Sequence, residues 1–551
     1  MSGPRARLVR LAGWLAVALA VVLPRGGLTG HPDVDVWNHA WGYWWFADCL
    51  RHGVLPWRTG LLGAPSGGVL WYIDPVGATA ALPVSLTFGA AAGFQAVMVA
   101  RVALAGAATQ ALAEELWGKG AHAWFAGIAL ATSPMLLCEL HNGISEVVAI
   151  YWVPLVLWTA LRAARTDTAG AWVRLGLALG VGVLANFYYG LLESLLVAAT
   201  WLVFSRRFRG ALLAAGVAAA VATPGILALR ASVQAPDALI QRAAGLDREL
   251  ASHNAVDPRV FVTPGAFWSV NLEQKYGEAF RHTGYLRWTV ILLAAAGIAA
   301  GVRRDRRTVA FLGAVAAGSL LLALGPQLWW GGRFLVVDRR PLLLPFGVLQ
   351  RLVPELAVTH PLRLSVAAQV AFAVLGSRAL VGRKPGWIAA AALIAAAEGA
   401  FGSLARWPVE ESPAAVPTIY AEIGASDDPR AVLDLPGDIG TRMTTSEYLW
   451  FQTVHHHPVP YKPDARANDT GDPATFAHLP DRLARGRAPE PFGDAGLAHL
   501  RENYGWIVVH TDLEARAGAG GALRALLEPQ LGAPDERDGL LIWRLTTPSP
   551  R

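Results

Sequence analysis

Arg5, Arg7 and Arg10 precede Leu11-Ala-Gly-Trp-Leu-Ala-Val-Ala-Leu-Ala-Val-Val-Leu23, and His31-Pro-Asp-Val-Asp-Val-Trp-Asn-His-Ala-Trp-Gly-Tyr-Trp-Trp-Phe-Ala-Asp48 follows. A basic start and an apolar run are shared by signal peptides and signal anchors. No small-x-small cleavage site follows, so the segment is expected to be a retained first helix with its basic end in the cytoplasm. The aromatic stretch after it then begins the first outer loop.

Similar uncharged runs recur over the first 404 positions, each long enough to cross about 30 Å of hydrocarbon as a helix. They lie near 8–24, 94–116, 121–138, 146–163, 172–187, 190–204, 211–229, 286–302, 308–324, 364–382 and 386–404. A further apolar piece, Val76 to Ala92, is broken by Pro83 and is expected to be a short or re-entrant segment. Only 16% of the chain is charged, against about 25% in an ordinary soluble domain. The predicted fold is therefore mainly α, a polytopic transmembrane bundle of about eleven helices.

The short links Arg162–Arg165, Ser205–Arg209, Arg303–Arg307 and Gly382–Lys384 are all basic, which assigns them to the cytoplasm. Loops 25–75, 230–285 and 325–363 are longer, carry mixed charge and fall outside. Beyond residue 404 prolines and charges return, and short β-type runs such as Ala431–Leu435, Trp506–His510 and Leu540–Leu545 alternate with helical stretches near 495–502 and 512–528. Residues 405–551 are expected to form a small extracytoplasmic α/β domain.

The 47 basic residues exceed the 41 acidic ones, and all but four of them are arginine. Their clustering between apolar runs is explained by topology, not by nucleic-acid binding. The Arg-, Ala- and Gly-rich composition points to a bacterial source, and hence to the cytoplasmic membrane. Two cysteines, Cys49 and Cys138, are too few for a disulfide framework or a zinc site. No phosphate loop, nucleophile elbow or zinc-protease helix is present, so hydrolase chemistry has no support.

Four polar groups stand out in or beside the outer loops. Asp33 and Asp35 directly follow the first helix. Trp37, Ala40, Trp41, Trp44 and Trp45, at three- and four-residue spacing, would make an aromatic face lying in the membrane interface, with Asn38 and His39 turned away. Carboxylates held there suit a lipid-linked substrate: one could deprotonate an acceptor hydroxyl, or both could hold a divalent cation such as Mg or Mn. The plain alternative is an interface belt and a helix cap.

Glu139, His141, Asn142, Ser145 and Glu146 crowd a very short link, where ionisable groups need a polar cavity. Tyr188, Tyr189 and Glu193 follow Asn186, with the acid inside a predicted helix. His360 and Arg363, with the upstream Asp338-Arg339-Arg340, place cations on the outer side against the topology rule, as a phosphate-binding site would. The run His455-His456-His457 is expected to be a surface loop.

Taken in order, Asp33-Val-Asp-Val-Trp-Asn-His-Ala-Trp, Gly53-Val-Leu-Pro-Trp with Ala64-Pro-Ser-Gly-Gly, Ser133-Pro-Met with Asn142-Gly143, Asn186-Phe-Tyr-Tyr-Gly190, Leu324-Gly-Pro326, Leu344-Pro-Phe, His360-Pro-Leu-Arg363, Val432-Leu-Asp-Leu-Pro436, Gln452-Thr-Val-His455 and Trp506-Ile-Val-Val-His510 make the chain resemble the bacterial multi-spanning YfhO-like proteins, relatives of the GT-C glycosyltransferase superfamily. The three histidines at 455–457 depart from the Gly- and Lys-like turn expected of that group. The resemblance implies a catalytic carboxylate in the first outer loop, here Asp33 or Asp35, and a polyprenyl-phosphate sugar as donor. It implies a glycan, lipid or protein acceptor in the cell envelope. A lipid-linked saccharide flippase and a non-catalytic envelope assembly protein are the alternatives, and internal inverted halves, which would favour the first, are not seen.

Overall fold

The computed structural model describes residues 4–71, 74–240, 245–265, 279–353, 358–437, 444–463, 491–516, 518 and 520–546. Its helices are α1 (Pro4–Val22), α2 (Val36–Arg51), α3 (Pro75–Phe88), α4 (Ala90–Trp117), α5 (His122–Ala131), α6 (Pro134–Asn142), α7 (Ser145–Val148), α8 (Trp152–Thr166), α9 (Ala169–Ala185), α10 (Phe187–Thr200), α11 (Phe208–Gln234) and α12 (Leu246–His253). They continue as α13 (Trp288–Gly301), α14 (Arg306–Ala323), α15 (Pro345–Leu352), α16 (Val366–Ala379), α17 (Pro385–Gly402), α18 (Ile419–Gly424), α19 (Thr444–His455), α20 (Asp494–Asn503), α21 (Thr511–Arg516) and α22 (Ala522–Leu531).

A helix falls in every apolar stretch read from the sequence. Among the described residues six helical segments are long and apolar enough to cross a membrane: 90–117, 122–142, 187–205, 208–234, 306–323 and 385–402. The chain is a multi-pass membrane protein. α3, with 14 residues, covers only about 21 Å and turns back on α4 at Gly89, whose φ of 90° suits glycine.

Helices in lipid are brought together by close packing, not by a hydrophobic gain between them, so small residues mark their contacts. Gly176 and Gly180 of α9 lie on α11: a Cβ on Gly176 would sit 2.6 Å from the Ala214 carbonyl, and one on Gly180 would sit 2.7 Å from Val221.

The predicted basic links gather at the end of the bundle that holds the N-terminus. Arg10 pairs with Glu114, Arg162 and Arg165 with Glu115, Arg207 with Asp167, and Arg378 with Asp305. The opposite, distal end carries the long loops.

Beyond α17 the chain forms a four-stranded sheet in the order β11-β12-β10-β9, after seven short strands among the loops and β8 (Glu411–Ser412). β9 (Ala431–Leu435) and β10 (Tyr504–His510) are parallel, while β12 (Leu540–Arg544) pairs antiparallel with β10 and with β11 (Asp535–Arg537). Period-two alternation gives the sheet two buried faces. Leu433, Leu435, Ile507 and Val509 pack under α20 and α22, and Val432, Trp506, Val508 and Ile542 pack toward the membrane bundle.

The sheet is knitted to the distal loops. β1 (Leu28–Thr29) pairs with β8, and the Gly63 and Ala64 amides donate to the Tyr461 and Val459 carbonyls. α2 lies beneath this layer: Trp41 Nε1 donates to Gln452 Oε1 of α19 at 2.8 Å.

This contact corrects the reading of α2 as an interfacial helix. Trp37, Trp41, Trp44 and Trp45 are buried inside the protein, between α19 and the bundle, and Asn38 and His39 are buried too. His455 and His457 are likewise core residues and not a surface loop: the His457 amide donates to His455 Nδ1, and His457 Nε2 lies 3.0 Å from the Ile423 carbonyl. Cys49 and Cys138 are both free and buried.

Burial, with the neighbouring histidines adding to it, pushes the His455 imidazole down to about 3. The folded protein therefore takes up this proton less readily than the unfolded chain, whose His titrates near 6.5, and stability is lost as pH falls through the interval between the two values. Unfolding followed in detergent from pH 7 to pH 4 should show the loss of about 1.4 kcal/mol per pH unit below about 6.5 that one such group contributes. His455→Asn, which keeps an acceptor for the His457 amide, should flatten that slope by one proton.

Candidate functional site

Asp74 precedes Pro75, and this Asp-Pro pair starts α3 cheaply, since a proline at the first helical position loses no hydrogen bond. The Asp74 carboxylate caps the helix by accepting from the Gly77 amide at 2.9 Å. Fully buried, it also accepts from Tyr43 Oη at 2.9 Å, Ser145 Oγ at 2.6 Å and Arg101 Nη2 at 2.9 and 2.8 Å. Arg101, from the middle of α4, donates in addition to the Ser145 carbonyl. Ser145 gives its one hydroxyl proton to Asp74, so its oxygen accepts from His39 Nδ1, 3.2 Å away. Glu146 Oε2 lies 3.3 Å from the same nitrogen. This knot ties α2, α3, α4 and α7 together.

The second cluster grows from α6. Ser133 caps its start by accepting from the Leu136 amide, and Gly143 stops it in the left-handed region, with φ 69°. A Cβ on Gly143 would come within 2.7 Å of Val36 Cβ. Glycine thus lets the end of α6 touch the first residue of α2, next to Asp35 at the N-cap position.

Glu139, buried near this end, receives Arg363 Nε at 3.0 Å and Nη2 at 3.3 Å, and Asn142 Nδ2 at 3.3 Å. His282 Nδ1 is 3.8 Å away. Asn142 also grips the chain at Arg281, accepting from its amide at 2.8 Å and donating to its carbonyl at 2.9 Å. The Arg363 guanidinium stacks 5.7 Å over the Tyr188 ring, whose hydroxyl lies 2.7 Å from Thr359 Oγ1. Thr359 reaches His360 Nδ1 at 2.9 Å, and the His360 and His282 rings are 5.1 Å apart. Glu139, Asn254, His282, Thr283, His360 and Arg363 line a small cavity.

His31 connects the first loop to this cluster. Its amide donates to the His141 carbonyl at 2.7 Å, the two rings stand 5.1 Å apart, and its Nδ1 accepts from the Asp33 amide at 3.1 Å. His141 Nε2 lies 3.1 Å from the Ala279 carbonyl.

Of the residues singled out in the sequence, Glu139, His360 and Arg363 line one cavity, Asn142 holds Glu139 and Tyr188 lies against Arg363, His141 is bonded to the Ala279 carbonyl, and Asp33 and Asp35 lie at the start of α2. His39 belongs to the Asp74 knot. Tyr189 is fully buried, with its hydroxyl spent on the Val147 carbonyl at 2.8 Å. Glu193 is fully buried against Gly182, and neither carboxylate oxygen has a partner among the described residues. Asp338 and Arg339 form the turn of an exposed hairpin, followed by Arg340 on its second strand. They are not part of the cavity.

Sequence reasoning missed Asp74 and Arg101. The signal available was a lone arginine in the middle of a long apolar segment, a position that demands a partner. Among the described residues no group of three or more His, Cys, Asp or Glu side chains converges as a metal site.

No family model matches the sequence, and no curated protein does. Among solved structures, the arabinofuranosyltransferase AftD from Mycobacteria aligns with 98% of this chain at a TM-score of 0.60 and 15% identity. A mutant form of that enzyme aligns with 92% of this chain and 37% of its own, at 0.56 and 17%. This chain spans 40% of the length of AftD. ArnT from Cupriavidus metallidurans aligns over 99% of both chains at 14% identity, with a TM-score of 0.44, below the level at which a shared fold can be argued. The chain thus shares its fold with the aligned part of AftD, and the GT-C and YfhO-like likeness rests on the sequence motifs.

Removing one partner of a fully buried ion pair leaves an uncompensated charge and costs about 3–5 kcal/mol. Asp74→Asn and Arg101→Leu should each lower stability by about that amount in detergent unfolding. The double variant should be less destabilised than the sum of the two, because it strands no charge.

Proposed function

We propose that this protein is a membrane glycosyltransferase that moves a sugar from a polyprenyl-phosphate donor to a cell-envelope acceptor. The observation that carries this reading is the contact of Gly143 with Val36, which brings the residue after Asp35 against the end of the helix that bears Glu139. The GT-C likeness supports it, since the resemblance expects a catalytic carboxylate in the first outer loop.

In this reading the distal end faces outward from a bacterial cytoplasmic membrane. The gathering of Arg10, Arg162, Arg165 and Arg207 at the other end agrees with a cytoplasmic N-terminus. Residues 405–551 then form an outer domain that covers α2 and positions the acceptor.

Asp33 or Asp35 takes the proton of the acceptor hydroxyl as its oxygen attacks the anomeric carbon. The bond from that carbon to the phosphate oxygen breaks, and the electron pair leaves with polyprenyl phosphate. A single displacement inverts the anomeric centre. Arg363 holds Glu139 through Nε and Nη2, and in this reading its Nη1 binds the donor phosphate. His360 and His282 line the cavity, which must widen to admit the head group, Asn142 and Tyr188 support Glu139 and Arg363 from beside it, and Glu139 fixes the guanidinium plane.

The test is transfer from radiolabelled polyprenyl-phosphate sugars by the purified, reconstituted protein. One of Asp33→Asn and Asp35→Asn should reduce transfer by about 10²–10⁴-fold, the range lost with a general base, while lipid binding persists. Transbilayer movement of the labelled lipid without transfer would replace this reading with a flippase. Neither transfer nor movement would leave an assembly role.

A further inference from the structure

Between α14 and α15 the chain leaves the end of a membrane-long helix and builds two consecutive hairpins at the distal end. Leu328, Leu335 and Leu342, seven residues apart, close a ring of backbone hydrogen bonds: Leu335 N–H to Leu328, Leu342 N–H to Leu335 and Leu328 N–H to Leu342, at 2.9, 2.8 and 3.0 Å. Between them stand the strand pairs β4/β5 (Trp329–Trp330 with Arg333–Phe334) and β6/β7 (Val336–Val337 with Arg340–Pro341). The turns Gly331-Gly332 and Asp338-Arg339 both have positive φ at each residue, the conformation that matches the twist of a two-residue hairpin. The first turn is pinned: the Gly331 amide donates to Asp257 Oδ2 at 2.8 Å, and Arg259, which also holds Asp257, lies 5.8 Å over the Trp330 ring.

This rigid projection carries apolar side chains on its outside. Trp330, Val336 and Val337 are 52%, 55% and 50% exposed, and on the adjoining α15 Val348 and Leu352 are 45% and 75% exposed. α15 buries Phe346, Gly347 and Gln350 against the protein and turns its other face out. Apolar surface left in water on a pinned, ordered element marks a contact.

The charges say which contact. Arg333, Arg339, Arg340 and Arg351 are exposed around these residues, with Asp338 the one acid in the same stretch, 327–353. Arginines bordering valine, leucine and tryptophan match the boundary between anionic headgroups and hydrocarbon. The chain enters this element from α14 and returns to the bundle at α16, which keeps it within reach of lipid.

We propose that the two hairpins and α15 are inserted in the headgroup layer of the lipid leaflet at the distal end, with Val336, Val337 and Leu352 at the hydrocarbon boundary and the arginines on anionic phosphates. This lipid-bound paddle follows, in sequence, directly on the distal end of α14 and precedes Thr359, His360 and Arg363 of the cavity. It stands whether or not the protein transfers a sugar.

The test places an environment-sensitive fluorophore on single cysteines at Val336→Cys, Val337→Cys and Leu352→Cys, with Ala425→Cys, exposed on the C-terminal part, as the water-exposed control. The native cysteines are buried. In the full-length protein reconstituted into phosphatidylglycerol-containing vesicles, the three paddle positions should show blue-shifted emission, quenching by spin-labelled lipid and loss of quenching by aqueous iodide. Combining Arg339→Gln and Arg340→Gln should reduce the lipid quenching in those vesicles but not in pure phosphatidylcholine. Iodide quenching equal to that at Ala425→Cys would overturn the proposal, as would protection from both quenchers together with cross-linking between two copies.

Discussion

Inside a membrane protein a charge without a partner is expensive, and the Asp74–Arg101 pair shows how this chain meets that constraint. The carboxylate receives the Gly77 amide, the Tyr43 and Ser145 hydroxyls and the Arg101 guanidinium. Those donors come from α2, α3, α4 and α7. A buried pair of this kind is weak evidence for extra stability, since taking both charges out of water costs several kcal/mol. What it supplies is position: α2 cannot slide or rotate without stranding one of these groups.

Position matters because α2 begins where the acids lie. Asp33 and Asp35 stand at its N-terminal end, Gly30 and Gly143 permit close approach to Val36, and His31 holds the carbonyl of His141. The end of α6 is thereby brought against the first loop, and Glu139, Asn142 and Arg363 follow at that end of the bundle. Glu193 stands apart from both clusters, buried with neither oxygen partnered among the described residues.

The apolar helices were legible in the sequence because hydrocarbon imposes length and apolarity on each one independently, and a helix stands in each of the eleven apolar stretches, six helical segments among the described residues being long and apolar enough to span. Glu139, Asn142, Tyr188 and Arg363 were legible as polar groups in apolar surroundings. Asp74 and Arg101 were not paired in advance: an ion pair between residues 27 apart leaves only two isolated oddities in the chain. The tryptophan stripe of α2 was misread for a related reason. Spacing says that Trp37, Trp41, Trp44 and Trp45 share a face, but not what covers it, and the cover is α19, with Gln452 411 positions from Trp41. His455 and His457 were misplaced because three adjacent histidines look polar, whereas one stacks on Tyr420 and the other caps the Ile423 carbonyl.

A structure of the protein with a polyprenyl-phosphate sugar bound tests the central claim most directly, namely that the acids at the start of α2 and the Glu139–Arg363 cavity serve one head group. The account predicts the phosphate within hydrogen-bond distance of Arg363 and the sugar's anomeric carbon facing Asp33 or Asp35. Head-group density among the arginine links at the N-terminal end of the bundle, or a cavity that stays closed while lipid binds elsewhere, would contradict it.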